Sequence, residues 1–206
     1  MGFEKGITRI AVLISGGGTN LQALLDAQAG GRLPRGRVAL VVSDRKNAGG
    51  LARAAKAGVA SAFVSRKDPG RLVEILRERQ IDLIVLAGYL SILPGEVIAS
   101  FRGRVINIHP ALTPLFSGMG FYGLKVHEAV LASGMKVTGA TVHFVDEGVD
   151  TGTIIAQRPV PVLDGDTPEI LQARVLETEH ALLTDCVKAL TECRVRAKNG
   201  KAWVEE

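Results

Sequence analysis

The pentapeptide Ile106-Asn107-Ile108-His109-Pro110 sets an amide and an imidazole two residues apart where an extended run stops. Side chains alternate along a strand, so Asn107 and His109 leave one face together while Ile106 and Ile108 leave the other. Pro110 has no N–H for a ladder, which ends the strand at His109. In open parallel sheets ligands collect beyond the carboxyl ends of strands, so the pair stands where chemistry is expected. An amide donor beside a titratable ring suits acyl-type reactions, in which an oxyanion develops. Two structural, hydrogen-bonded side chains would satisfy the same spacing.

A second segment, Ser15-Gly16-Gly17-Gly18-Thr19-Asn20, joins a strand to a helix. Its glycines let backbone approach a ligand, and the free N–H groups and dipole of the helix favour an anion such as phosphate. Thr19 or Asn20 can cap the helix or touch the ligand. The Lys-Ser/Thr of a Walker loop is missing, and Leu21 stands where a dinucleotide fingerprint places its third glycine. Nucleotide hydrolysis and nicotinamide binding are therefore disfavoured. The turn Asp146-Glu147-Gly148-Val149-Asp150-Thr151-Gly152 offers three carboxylates. Any of them can make only an Asx-turn, but Asp150 beside His109 would orient the ring and favour its charged form. Glu179 falls on an apolar helical stripe with Leu171, Val175, Leu182, Leu183, Cys186 and Leu190. A carboxylate there needs a partner, either a protein cation or a cationic group of a ligand. His143 reads as a structural histidine, and His127 and His180 as ordinary helix residues.

The elements that must position these groups alternate. Ile10 to Ile14, Val38 to Val42, Leu83 to Ala87 and Val105 to Ile108 read as buried strands. Asn20 to Ala27, Leu51 to Ala57 and Arg71 to Arg79 between them read as helices. Such alternation predicts a mostly parallel sheet with helices on its faces. After a Pro- and Gly-rich loop from Pro110 to Gly123 come a helix over Val126 to Ala132 and a half-buried strand over Lys136 to Val145. A strand from Thr153 to Val162 and a long helix from about Pro168 to Cys193 follow. With 206 residues, 47% hydrophobic, the chain reads as one domain, 1–206. A net charge of +4 favours anionic ligands, yet no basic run with interleaved aromatics points to nucleic acid. The apolar stretch Ile81 to Phe101 is too broken by Asp82, Gly88, Pro94 and Glu96 to span a bilayer. Met1-Gly2 resembles the start of a myristoylation signal, but Gly6 stands where Ser or Thr is needed. Cys186 and Cys193 sit too far apart on one helix for a disulfide, and no Cys-x-x-Cys or HExxH pattern occurs. No metal and a reducing, cytoplasmic setting are expected.

Taken in order, Ser15-Gly-Gly-Gly-Thr-Asn20, Asn107-Ile-His-Pro110 and His143-Phe-Val-Asp-Glu-Gly-Val-Asp-Thr-Gly152 resemble the phosphoribosylglycinamide formyltransferase family, the folate-dependent transformylases of purine synthesis. The resemblance runs from Ile10 to the final helix. It implies a Rossmann-like α/β fold, a mostly parallel sheet flanked by helices. It also implies formyl transfer from 10-formyltetrahydrofolate, as co-substrate and without a metal, to the amine of glycinamide ribonucleotide.

By matching positions, Asn107, His109 and Asp150 would be catalytic, and Gly17, Gly18, Thr19 and Asn20 would bind the phosphate region. Glu179 would hold the glycinamide end, and Leu90, Ser91, Ile92 and Leu93, with Asn107, would contact the folate. The implied partners are the ribonucleotide and folate, with neither nucleic acid nor membrane; oligomeric state stays open, a homodimer being one option. Members often carry a basic residue where Ser91 stands, and Ala111, Thr113 and Ser117 also depart from the pattern. A basic folate position falls near Arg66 and Lys67, and the spacing does not choose between them.

The mechanism so implied is direct attack of the amine on the formyl carbon. Asn107 and a protonated His109 would stabilise the tetrahedral oxyanion, with Asp150 keeping His109 charged. Two rival families share the constellation around Asn107, His109 and Asp150. Formyltetrahydrofolate deformylase adds an amino-terminal domain and methionyl-tRNA formyltransferase a carboxyl-terminal one, and neither addition is expected here. A non-catalytic binder of phosphorylated metabolites is the third possibility.

Overall fold

Residues 6–205 are described by the structure, a computed structural model; Met1-Gly2 lies outside the described residues. In chain order the elements begin β1 (Thr8–Ile14), α1 (Thr19–Ala29), β2 (Gly36–Ser43), α2 (Gly49–Lys56), β3 (Ser61–Phe63), α3 (Pro69–Glu78) and β4 (Leu83–Leu86). There follow α4 (Gly95–Ser100), β5 (Val105–His109), α5 (Leu124–Ala132), β6 (Val137–Phe144), β7 (Ile154–Pro161), α6 (Pro168–Thr191), β8 (Val195–Lys198) and β9 (Lys201–Val204).

Seven strands form one sheet in the order β3-β2-β1-β4-β5-β6-β7. β1 to β5 run parallel, β6 is antiparallel to β5, and β7 is antiparallel to β6. The expected α/β, mostly parallel sheet is what forms. Ile10, Val12, Ile14, Ile106 and Ile108 pack with Leu21 and Leu24 of α1 and Leu182 and Leu183 of α6. Ala11, Leu13, Ile84 and Val105 pack on the opposite face with Leu72 and Leu76 of α3 and Val97 and Ile98 of α4. Both faces are covered, which is why the strand sequences are continuous apolar runs rather than alternating ones.

β6 corrects the reading of Lys136 to Val145 as half-buried, because it is buried from Thr138 through Phe144. Its central Thr141 is satisfied inside: Thr141 Oγ1 donates to the Ala111 carbonyl at 2.6 Å and accepts from Thr113 N–H at 3.1 Å. Hydroxyls with partners can occupy a core, so alternation of Thr with apolar residues does not require water on one face. Three features of the fold go beyond the sequence reading: the short β3, the single-turn-and-a-half α4, and the β8–β9 hairpin after the last helix. Among the described residues no helix is long and apolar enough to cross a membrane.

The chain moves outward from β1 through β2 to β3, then crosses back to lay β4 on the other side of β1. That reversal leaves a crevice beyond the carboxyl ends of β1 and β4, with β5 alongside.

Candidate active site

β5 delivers its two polar side chains to this crevice. Asn107 Nδ2 donates to Asp150 Oδ1 at 3.2 Å, and His109 Nδ1 lies 3.5 Å from Asp150 Oδ2. Amide, ring and acid therefore converge, although they come from segments more than 40 residues apart on the chain. Asp150 takes a left-handed backbone conformation, φ 57°, at the end of its turn, and Gly118 N–H donates to its Oδ2 at 2.9 Å. The other two acids of that turn sort differently. Asp146 Oδ1 accepts from Gly148 N–H and from Thr151 Oγ1, the local turn, and Glu147 pairs with exposed Arg102. Gly152 is required by close approach, since a Cβ there would lie 1.7 Å from the Phe144 carbonyl oxygen.

His143, read from sequence as structural, belongs to this polar group. Its Nδ1 donates to the Phe144 carbonyl at 2.8 Å, and its Nε2 lies 3.2 Å from Asn107 Nδ2 and 3.5 Å from Asp150 Oδ1. Asn107 Nδ2 thus stands between Asp150 and His143. Strand pairing made this contact: Asn107 of β5 lies opposite His143 of β6.

Burial and geometry pull on His109 in opposite directions. His109 is 4% exposed, and burial lowers its pKa by more than the Asp150 charge and the Phe116 carbonyl raise it. Its Nε2–H donates to that carbonyl at 2.8 Å and its Nδ1 faces Asp150 Oδ2, so each ring nitrogen has an acceptor before it. The Asp150 carboxyl is held below the usual range: burial works to raise it, but hydrogen bonds from His143 and the Gly118 N–H, and the positive charge of the two rings when protonated, lower it by more.

The glycine turn follows β1. Gly18 is left-handed, φ 73°, and a Cβ on it would sit 2.8 Å from Gly50 Cα. No side chain caps α1, so its first N–H groups stay available to an anion. Asn20 lines the cavity but does not cap α1: its Nδ2 donates to Glu179 Oε2 at 2.8 Å. This also answers which partner Glu179 finds, a neutral amide rather than a cation. Glu179 is 7% exposed, and burial pushes its carboxyl up to about 7 against the Asn20 bond that lowers it. Sequence reasoning missed Arg53, whose Nε donates to the Gly17 carbonyl at 2.7 Å and whose Nη1 donates to Gln22 Oε1.

The segment after β4 forms the far wall. Leu90 and Ile92 are exposed while Leu93 is buried. Ser91 Oγ donates to Asp44 Oδ2 at 2.6 Å, and the Leu90 N–H is taken by Ser15 Oγ at 2.8 Å. Contact to a ligand from Ser91 therefore falls to its backbone. One cavity of about 1140 Å³ is lined by Gly17, Gly18, Thr19, Asn20, Leu90, Ser91, Ile92, Leu93, Asn107, His109, Asp150 and Glu179 together. Arg66 and Lys67 both line it.

This geometry has known counterparts. Residues 8–187 match the family model described as formyl transferase. The phosphoribosylglycinamide formyltransferase of Haemophilus influenzae is 38% identical over 204 residues, covering 96% of this chain and 93% of that protein. The chloroplastic phosphoribosylglycinamide formyltransferase of Vigna unguiculata is 45% identical over 194 residues, 91% of this chain, and the match spans 62% of that longer relative. The crystal structure of glycinamide ribonucleotide transformylase 1 from Symbiobacterium toebii superposes with a TM-score of 0.91 at 41% identity, covering 100% of this chain and 98% of that one. On sequence, on fold and over nearly its whole length, the chain belongs to the formyl transferase family, among the phosphoribosylglycinamide formyltransferases.

Proposed function

We propose that this chain transfers the formyl group of 10-formyltetrahydrofolate to the amine of glycinamide ribonucleotide, working as one unit over 1–206. The observation that carries the reading is a single cavity joining Asn107, His109 and Asp150 to an uncapped helix start. The α1 N–H groups and Gly17 to Asn20 take the phosphate. Glu179, with a carboxyl near 7, faces the glycinamide end and can accept a proton from its ammonium, freeing the nucleophile. The exposed apolar side chains of Leu90 and Ile92, with the backbone of Ser91 and the buried Leu93, receive the folate.

The amine then attacks the formyl carbon. The new oxyanion accepts from Asn107 Nδ2, which gives up Asp150 or His143 to reach it, and from His109. His109 enters neutral. It becomes cationic as it takes the amine proton, when the forming oxyanion and the Asp150 carboxylate both favour the charge. The proton passes, through water, to the leaving folate nitrogen, and the tetrahedral intermediate collapses to products. No covalent enzyme intermediate is needed. The cytoplasm is the proposed compartment.

Tetrahydrofolate release, measured with and without glycinamide ribonucleotide, tests the reading. Ribonucleotide-dependent release is expected. Release in its absence would make the chain a hydrolase, and no release under either condition would leave only a binder of phosphorylated metabolites.

A further inference from the structure

The carbonyls of the glycine turn are both held from the α2 side. Gly50 N–H, at the start of α2, donates to the Gly16 carbonyl at 3.1 Å, and Arg53 Nε, one turn further along α2, donates to the Gly17 carbonyl at 2.7 Å. In a trans peptide the C=O and the N–H that follows it point in opposite directions. Drawing these two carbonyls toward α2 therefore turns the N–H groups of Gly17 and Gly18 away from it. The cavity lies on that other side, since Gly17 and Gly18 line it and no residue of α2 does. Neither N–H has a partner among the described residues. Successive backbone N–H groups around a left-handed residue, here Gly18, make a concavity that receives anions.

We infer that Arg53 is a positioning residue for the phosphate: from outside the cavity it holds the Gly17–Gly18 peptide with its carbonyl outward, which keeps the Gly18 N–H aimed at the ligand. The inference rests on the reading above that the ribonucleotide phosphate sits at the α1 start. A peptide between two glycines meets little steric resistance to turning over, because glycine takes either sign of φ. The Gly50 bond does not prevent this, since it reaches only the peptide before. Arg53 does so with a charge-assisted bond. Its guanidinium is itself anchored: Nη1 donates to Gln22 Oε1 at 3.1 Å, and Gln22 Nε2 donates to Asp26 Oδ1 at 2.8 Å along α1. Arg53 makes no ion pair among the described residues, so its charge stands behind the turn and favours an anion in front of it.

Glycinamide ribonucleotide compared with glycinamide riboside, which lacks only the phosphate, separates this role from a general structural one. Arg53→Met keeps the apolar stem and removes the charge and the donors. Its kcat/KM for the ribonucleotide should fall about tenfold, all of it through KM, while kcat/KM for the riboside and the folate KM stay within about twofold of the parent. Arg53→Lys keeps the charge but replaces the fork by one ammonium, and should lose about threefold on the ribonucleotide alone. This second variant decides the matter if Arg53→Met folds poorly. Assays run well below the melting midpoint of each variant keep unfolding out of the comparison. A parent-level ribonucleotide KM in Arg53→Met would overturn the proposal, as would an equal loss on ribonucleotide and riboside in either variant. A parent chain that does not distinguish ribonucleotide from riboside would place the fault in the phosphate reading and not in Arg53.

Discussion

Glu179 ties stability to pH at a single side chain. Its carboxyl sits near 7 in the folded chain against an ordinary 4.5, so between those values the folded state holds a proton that the unfolded state has lost. Stability from this group is complete below about pH 4.5 and disappears as pH rises through 7. Glu179→Gln keeps an oxygen for the Asn20 amide and removes the titration. At pH 8 the variant should therefore exceed the parent in stability by on the order of 3 kcal/mol, with the gap closing by pH 5. Urea melts at both pH values read this difference; an equal gap at the two would show that Glu179 does not titrate as stated. His109→Ala should lower kcat by roughly a hundredfold or more with both KM values little changed, the scale for losing a donor to a developing oxyanion. Asn107 and His109 were legible because strand alternation and a terminating proline are local rules, and Asp150 only through the resemblance of its turn. The burial that lowers the His109 pKa was not, since it depends on the whole sheet, and His143 was not, since it meets Asn107 through the β5–β6 register.

At the scale of elements, the start of α1 depends on two glycine pairs that are distant in sequence. Gly18 must be left-handed, and Gly50 at the start of α2 presses its Cα against the space a Gly18 side chain would need. Gly50 N–H also donates to the Gly16 carbonyl at 3.1 Å. Gly18→Ala should thus lose about 2 kcal/mol or more in denaturant melts and displace the helix start. Its affinity for the ribonucleotide in a direct titration should fall at least tenfold; full affinity would place the phosphate elsewhere. The long periodic elements, α1, α3 and α6, and the apolar β1, β2, β4 and β5 could be read because pattern and burial agree in them. α4 spans Gly95–Ser100, too short to show a period inside a broken apolar stretch. The β8–β9 hairpin had a readable mark in Asn199-Gly200, both with positive φ, 52° and 70°, as a tight primed turn demands. Its strands, VRAK and KAWV, carry too few apolar residues to announce themselves.

Over the whole molecule, the cavity is a property of the sheet and not of any one segment. The turn after β1, the end of β5, the turn before β7 and the middle of α6 meet only because β4 returns beside β1 and β6 and β7 fold back antiparallel. A ligand that spans these parts ties α1, α5 and α6 together, and it should stabilise the fold as one cooperative unit. Ribonucleotide at one hundred times its dissociation constant contributes about 2.7 kcal/mol. For a chain of this size each kcal/mol moves the thermal midpoint by roughly 2–4 °C, so an upward shift of about 5–10 °C is expected. The shift should shrink at the same ribonucleotide concentration in Gly18→Ala, because it weakens the phosphate contacts. Differential scanning calorimetry with ribonucleotide alone, then with folate alone, separates the two halves of the cavity. A parent chain that melts higher only with folate would remove the phosphate cradle from the site and leave the glycine turn as a structural corner.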